Sequence, residues 1–151
     1  HWHDEVAVVI TSGSLVDADV FDDIGLMPEH FFIDYIDYDF CLRLKDRGYR
    51  IVLAPQAKLL HSLGEKTMHS LGGMHVAASH HSAKRRATIF RNRLWLWKRF
   101  GWKYPGFVVH DLLASLFDVA RITLYEAEKT AKLRAILQGL KAGIAREPKP
   151  L

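Results

Sequence analysis

One segment of this 151-residue chain constrains the fold more than any other, because it places three carboxylates among aromatic residues. The segment, residues 31–43, carries Asp34, Asp37 and Asp39. Apolar residues recur in it at four-residue spacing, which is the pattern of one helical face. Carboxylates are stabilised near a helix start by unpaired backbone N–H groups and by the helix dipole. The segment therefore predicts a helix over 34–47 whose first turn is acidic.

Short strand signals lie on both sides of this helix. Residues 6–11 and 49–54 are apolar runs, the first followed by a Ser-Gly-Ser turn and the second stopped by Pro55. A short helix is predicted between them, ending at Asp23 before Gly25. The order strand, helix, helix, strand is typical of an α/β sheet and not of an all-helical fold.

The remainder of the chain reads as a loop followed by helices. Residues 61–83 carry scattered glycines and histidines and are predicted to form a long loop. Helical periodicity then predicts three helices, over 84–100, 107–125 and 127–143. The second of these contains charged residues, which makes it a poor membrane span. We therefore predict two regions, 1–83 and 84–151.

Charge is divided unevenly along the chain. No Lys or Arg precedes Arg43, whereas 21 basic and seven acidic residues occur from Arg43 onward. A basic half suggests an anionic partner, such as a phosphorylated ligand, a membrane surface or nucleic acid, while a solvated helical face is the simpler explanation. The single cysteine, Cys41, excludes an internal disulfide and is expected in the core. Because the chain opens on His1 with no targeting segment, we expect a fragment or a processed product.

The acidic segment has two explanations when the residues are taken alone. A carboxylate beside a hydroxyl can act as a general base, and aromatic neighbours such as Tyr35 and Tyr38 suit a sugar. Helix capping with surface charge is the other explanation, and spacing alone favours it.

A resemblance to a known family favours the catalytic explanation. The run Asp37-Tyr-Asp-Phe-Cys-Leu-Arg43 resembles the segment that supplies the catalytic base in family 2 glycosyltransferases of the GT-A fold. Neighbouring motifs follow the family's order over residues 6–64. A Phe-Ile-Asp version ending at Asp34, with Arg85-Arg86 and Arg91-Asn92 further on, is most similar to the rhamnosyltransferase-type branch. The resemblance implies an α/β fold, with a partial GT-A sheet layer followed by C-terminal helices.

The resemblance also implies roles for individual residues. Asp37 would deprotonate the acceptor hydroxyl, and a sugar would then be transferred with inversion from a nucleotide-diphospho-sugar donor to a cell-surface glycan or lipid-linked acceptor. Asp34, Tyr38 and Asp39 would bind the acceptor or support its site. His61 would help to hold a divalent cation, Mn²⁺ or Mg²⁺, on the donor diphosphate.

Arg86 and Arg91 lie in the basic helix that follows, where the resemblance implies contacts to the donor pyrophosphate. The sequence departs from the family pattern in two places: Ile36 replaces a glutamate, and Ala87-Thr88 replace aromatic residues. The nucleotide-binding half is not recognisable, since Asp17-Ala-Asp19 has the letters of the metal motif but starts a helix. We therefore expect the donor-binding half to be missing and this segment alone to be inactive.

An aromatic and basic run, residues 94–104, supports a second hypothesis. Its Trp and cationic residues suit a membrane interface, although some of them are expected to pack in the core. The alternative function is therefore a non-catalytic membrane- or partner-binding module. Nucleic-acid binding is ranked lower, because no recognised module accompanies the run. We expect a cytoplasmic protein, peripheral at the inner face of the cell membrane.

Two further expectations concern metals and assembly. The histidines of the predicted loop have no cysteine partners and no compact spacing, which disfavours a dedicated zinc site. A sheet edge near residues 6–11 could pair with another copy and form a homo-oligomer, although the sequence does not settle the oligomeric state.

Overall fold

The computed structural model describes residues 4–60, 66–71, 74–79, 81–145 and 147. The chain forms two compact units, which divide between Ser62 and Leu63. This division precedes the boundary predicted at residue 83, because the segment before that residue belongs with the C-terminal helices.

The N-terminal unit combines two helices with a short pair of strands. Its elements are β1 (Asp4–Glu5), α1 (Asp19–Ile24), a 3₁₀ turn (Glu29–Phe31), α2 (Ile36–Asp46) and β2 (Val52–Leu53). Strands β1 and β2 are antiparallel, with Asp4 opposite Leu53 and Glu5 opposite Val52. The ladder is extended by one further bond, in which the N–H of Val6 donates to the carbonyl of Ile51 at 2.9 Å.

The two strands are shorter than the sequence predicted. Residues 6–11 are not a strand beyond the bond of Val6, and the strand predicted over 49–54 is limited to β2. A strand needs a ladder partner, and β2 offers only two residues for pairing with β1. The partial GT-A sheet layer therefore stays a prediction, since the described residues of this unit form only a two-stranded sheet.

The core of the N-terminal unit lies against α2. Phe40, Cys41 and Leu44 are buried on one face of that helix, where they meet Val20 of α1 and Ile51 before β2. The expectation that Cys41 is a core residue is confirmed. This packing fixes the start of α2, which carries the acidic segment.

The C-terminal unit begins with a β-hairpin. Strands β3 (Lys66–Leu71) and β4 (Met74–Ser79) pair antiparallel, from Lys66 opposite Ser79 to Leu71 opposite Met74. The prediction of a long loop over 61–83 was therefore wrong. The signal was present in the sequence, because a Gly-Gly dipeptide between two six-residue segments favours a two-residue hairpin turn.

Three helices complete this unit, and all three predicted helices are confirmed with small shifts at their ends. They are α3 (Ala83–Phe100), α4 (Pro105–Tyr125) and α5 (Lys129–Ile144). Ser82 caps α3, its hydroxyl accepting from the N–H of Arg85, and Pro105 occupies the first turn of α4, where a missing N–H costs nothing. In the described part of the chain, no helix is both long and apolar enough to cross a membrane.

Helices α3 and α5 approach closely through two glycines of α5. A Cβ atom at Gly139 would lie 2.2 Å from the carbonyl oxygen of Ala87, and one at Gly143 would lie 2.8 Å from the Cβ of Leu94. Lys98 of α3 also donates to the carbonyl of Gly143 at 2.7 Å, satisfying an unpaired group at the end of α5. Small residues and a cation at the helix end thus hold the pair together.

Candidate functional site

Asp37 lies in the first turn of α2 and is held by a residue far away in sequence. Its Oδ1 accepts two hydrogen bonds from Thr11, one from the backbone N–H at 3.0 Å and one from the hydroxyl at 2.7 Å. No described residue donates a hydrogen bond to Oδ2, and the side chain is half-buried. One carboxylate oxygen is therefore fixed, whereas the other has no hydrogen bond to a described residue.

The backbone that leads into α2 has an unusual conformation. Phe32, Asp34 and Tyr35 have φ angles of 62°, 62° and 67°, in the region that residues other than glycine rarely adopt. Such residues cost about 1–3 kcal/mol each and cluster at functional sites. Tyr35 occupies the cap position of α2 without a side-chain capping bond. Capping by a side chain therefore does not explain this segment, although the acidic first turn still suits the helix dipole.

Asp39 has a different environment from Asp37. It is fully buried, and its Oδ2 accepts from Nε of Arg43 at 2.8 Å. The Nη1 of Arg43 in turn donates to the carbonyls of Ile24 at 2.6 Å and Gly25 at 3.0 Å. This ion pair anchors α2 to the end of α1. Asp39 is therefore a buried partner of Arg43, and its role at an acceptor site stays a prediction.

The other two predicted acceptor residues flank Asp37 in the chain. The rings of Tyr35 and Tyr38 lie 5.4 Å apart at an interplanar angle of 32°, and both side chains are half-buried. Asp34 is also half-buried and sits in the left-handed turn just before them. The structure therefore keeps Asp34, Tyr38 and Asp37 together around one turn. A pair of tilted aromatic rings beside a carboxylate is suited to contacting the C–H face of a sugar.

Thr11 is the site residue for which sequence reasoning assigned no role. Its turn is stabilised by the hydroxyl of Ser14, which donates to the carbonyl of Ile10 at 2.9 Å, and by Gly13, whose φ of 77° suits only glycine. The available signal was a threonine directly before a small-residue turn. The sequence could not show that this turn folds against the start of α2.

Cys41 lies one helical turn after Asp37 but belongs to the core. Its Sγ is 3.6 Å from the carbonyl oxygen of Val9. Burial raises the pKa of the Cys41 thiol, and the negative charge of Asp37 adds to the effect, whereas the contact with Val9 opposes it. The thiol therefore keeps its proton at neutral pH and is a poor nucleophile.

Arg86, in the C-terminal unit, is engaged in internal ion pairs. The side chain is fully buried, and its Nη1 donates to Asp118 at 2.9 Å while Nη2 donates to Glu126 at 2.6 Å. Lys132 shares the same carboxylate, donating to Glu126 Oε2 at 2.9 Å. These contacts join α3, the end of α4 and the start of α5. They give Arg86 a structural function that the sequence did not predict.

Arg91 is less enclosed than Arg86. Its Nε and Nη2 donate to Oδ1 of Asn92 at 3.1 and 2.9 Å, and its guanidinium lies 4.6 Å from the centre of the Trp95 ring. Burial lowers the pKa of the Arg91 guanidinium from its ordinary value. Asn92 is itself fully buried, so it fixes the guanidinium on the aromatic ring.

The aromatic and basic run divides as expected between core and surface. Trp95 and Leu96 are buried, and Nε1 of Trp97 donates to Asp111 at 2.8 Å, whereas Trp102 is fully exposed. The first part of the run therefore packs the helices, and only its end is available to an interface.

The predicted metal ligand, His61, lies outside the described residues. Among the residues that the structure does describe, no group of three or more His, Cys, Asp or Glu side chains could hold a metal ion. The divalent cation therefore stays a prediction based on the resemblance.

Comparison with known proteins finds similarity to a sugar transferase. Over 93 residues, the chain is 34% identical to the dTDP-rhamnosyl transferase RfbF of Shigella flexneri. The match covers 62% of this chain and 30% of that protein, so the chain spans less than a third of its relative. No protein-family model matches the chain. No solved structure matches it either.

Proposed function

We propose that this chain is the acceptor-side part of an inverting glycosyltransferase that transfers a sugar, rhamnose being the first candidate, from a nucleotide-diphospho-sugar to a glycan. The observation that carries the proposal is the half-buried Asp37 carboxylate, which Thr11 fixes through Oδ1 and whose Oδ2 has no hydrogen bond to a described residue. The similarity to a dTDP-rhamnosyl transferase supports the reaction class. The left-handed backbone before α2 supports a functional role for this turn.

The chemistry assigned to Asp37 is general-base catalysis. Oδ2 accepts the proton of an acceptor hydroxyl, and the acceptor oxygen forms a bond to the anomeric carbon of the donor. The bond from that carbon to the diphosphate oxygen breaks on the opposite side, and the electron pair leaves with the nucleotide diphosphate. Attack opposite to the leaving group inverts the anomeric configuration.

The residues around Asp37 orient the reacting groups. The two hydrogen bonds from Thr11 restrict rotation of the carboxylate, so Oδ2 is the oxygen assigned to the acceptor hydroxyl. The rings of Tyr35 and Tyr38 offer an apolar surface to the acceptor sugar. The buried pair of Asp39 and Arg43 holds the helix that carries the base.

The described residues include few side chains that could bind the donor. We propose Arg91 as the residue that contacts the donor pyrophosphate, because Arg86 already faces two carboxylates. When bound, Mn²⁺ or Mg²⁺ would supply Lewis-acid neutralisation of the leaving diphosphate, with His61 as the implied ligand. The nucleotide-binding half is assigned to sequence outside this chain.

Release of dTDP tests the reaction class. The protein expressed from its complete coding region is incubated with dTDP-rhamnose and a glycolipid extract of the source cells, and dTDP is measured over time. We expect release that depends on the extract, with the rhamnose recovered in the glycan and its anomeric configuration inverted. If neither dTDP-rhamnose nor other nucleotide-diphospho-sugars support transfer, the proposal fails and a non-catalytic binding module becomes the better explanation.

A further inference from the structure

Helix α4 differs from an ordinary surface helix, since its charged residues are paired within its unit while large apolar side chains are exposed. Asp111 is buried and accepts from Nε of Arg93 and from Nε1 of Trp97, both at 2.8 Å. Asp118 accepts from Nη1 of Arg86 at 2.9 Å and is also paired with Arg121. All three charged residues of α4 are therefore engaged in ion pairs within the unit.

The opposite face of α4 is apolar and exposed. Six large side chains lie on it, each exposing between 42% and 62% of its surface: Val109, Leu112, Leu113, Leu116, Phe117 and Leu124. No charged side chain interrupts this outer face of α4. A continuous apolar patch of this kind marks an interaction surface, whereas scattered exposed apolar residues are ordinary.

The charge of the surrounding unit favours an anionic partner. Residues 63–147 contain 15 Lys and Arg against six Asp and Glu, a balance of +9. Among the acidic residues that the structure describes in this unit, four are neutralised by internal ion pairs: Asp111, Asp118, Glu126 and Glu147. A second copy of the chain would bring the same positive charge to the interface, which opposes self-association. An anionic lipid surface is complementary to both the apolar face and the charge.

The residues just before α4 fit the same partner. Trp102 is fully exposed, and Lys103 is also exposed beside it, two positions before the helix begins at Pro105. Tryptophan and lysine next to an apolar helix face are suited to the headgroup level of a bilayer, where an amphipathic ring and a cation are both stabilised. Because the other face of α4 is bonded to α3, the helix can present only one side to lipid.

We propose that the outer face of α4, from Val109 to Leu124, docks on an anionic membrane leaflet with the helix lying along the surface. The apolar side chains enter the acyl boundary, and the basic residues of the unit contact the lipid headgroups. The inference rests on the apolar face of α4 and on the positive charge of its unit, and it does not require the transferase activity.

Vesicle partition of the full chain tests this inference. The probes are vesicles of phosphatidylcholine alone and of phosphatidylcholine mixed with phosphatidylglycerol. We expect binding to the anionic vesicles that weakens with added salt, and weaker binding to the neutral ones. Leu113→Gln with Leu116→Gln should lower the partition constant by about tenfold or more, because two exposed leucines lose their burial in lipid.

The matched control is Leu15→Gln with Leu26→Gln, which changes two exposed leucines of the N-terminal unit. The control should bind vesicles as the unchanged chain does, and circular dichroism should show the same helix content in all three proteins. If the double variant does not fold, the partition constant of Leu113→Gln alone is compared with that of the control. Equal binding of the α4 variant and the control would overturn the proposal. The proposal would also be overturned if the unchanged chain and the control were dimers without lipid while the α4 variant was a monomer. That result would assign the apolar face to a second copy of the chain.

Discussion

Asp37 and Asp39 are two positions apart in one helix, yet their surroundings differ. Asp37 is half-buried, with one oxygen held by Thr11, whereas Asp39 is fully buried and paired with Arg43. The sequence motif identified both residues as important but could not distinguish their environments. The environments differ because Asp37 contacts Thr11, whereas Asp39 is paired with Arg43, which bonds to the end of α1. At this scale, the sequence predicted both residues, and the fold distinguishes a half-buried carboxylate from a fully buried one.

Cys41 allows a pH-dependent test of the packing around the site. Because burial raises the pKa of its thiol, the folded protein keeps a proton that the unfolded chain loses above about pH 8.5. The contribution to stability is fully present below that pH and is lost as pH rises through the folded pKa. We expect the free energy of unfolding to fall by up to about 1.4 kcal/mol per pH unit in this range.

Urea unfolding between pH 7 and pH 10 measures this loss, with Cys41→Ala as the control that lacks the thiol. The control should lose less stability over the same range, since every other titrating group is shared. Parallel curves for the two proteins would show that the thiol is not buried as described. Cys41 is the chain's only cysteine, so slow reaction with a thiol reagent in the folded protein gives an independent check.

At the scale of elements, the three long helices were predictable because their apolar periodicity extends over many turns. The hairpin β3–β4 was missed because scattered histidines and glycines obscured its Gly-Gly turn. The backbone of Ala87 in α3 lies close to Gly139 of α5, where an added Cβ would be 2.2 Å from the carbonyl oxygen of Ala87. Sequence periodicity cannot show such a contact, since it depends on which helices become neighbours.

Gly139→Ala tests the contact between α3 and α5. The added Cβ would lie 2.2 Å from a backbone oxygen that cannot rotate away, so the helices must separate. We expect a loss of about 1–3 kcal/mol in the free energy of unfolding, measured by circular dichroism in denaturant. Gly106→Ala is the matched control, because nothing lies within 4 Å of the Cβ it adds. Equal stability of the two variants would contradict the close approach.

At the scale of the whole molecule, the chain combines an acidic N-terminal unit that holds the candidate base with a basic C-terminal unit of hairpin and helices. The charge division was visible in the sequence, as was the acidic helix start. The reversed amphipathicity of α4 was not, because the apolar periodicity of a helix does not show which face meets the core. Only the ion pairs of Asp111 and Asp118 reveal that the polar face turns inward.

The central claim is that Asp37 is the base of a sugar transfer, and Asp37→Asn tests it most directly. The amide keeps the size of the side chain but cannot accept the proton, so kcat should fall by about 10²–10⁴-fold or more, while donor affinity is unchanged. Asp22→Asn is the matched control, since Asp22 is an exposed carboxylate in α1 of the same unit. Both variants are made in the protein expressed from its complete coding region. A large loss of kcat in Asp37→Asn alone is the predicted result, and turnover equal to that of the control would remove Asp37 as the base.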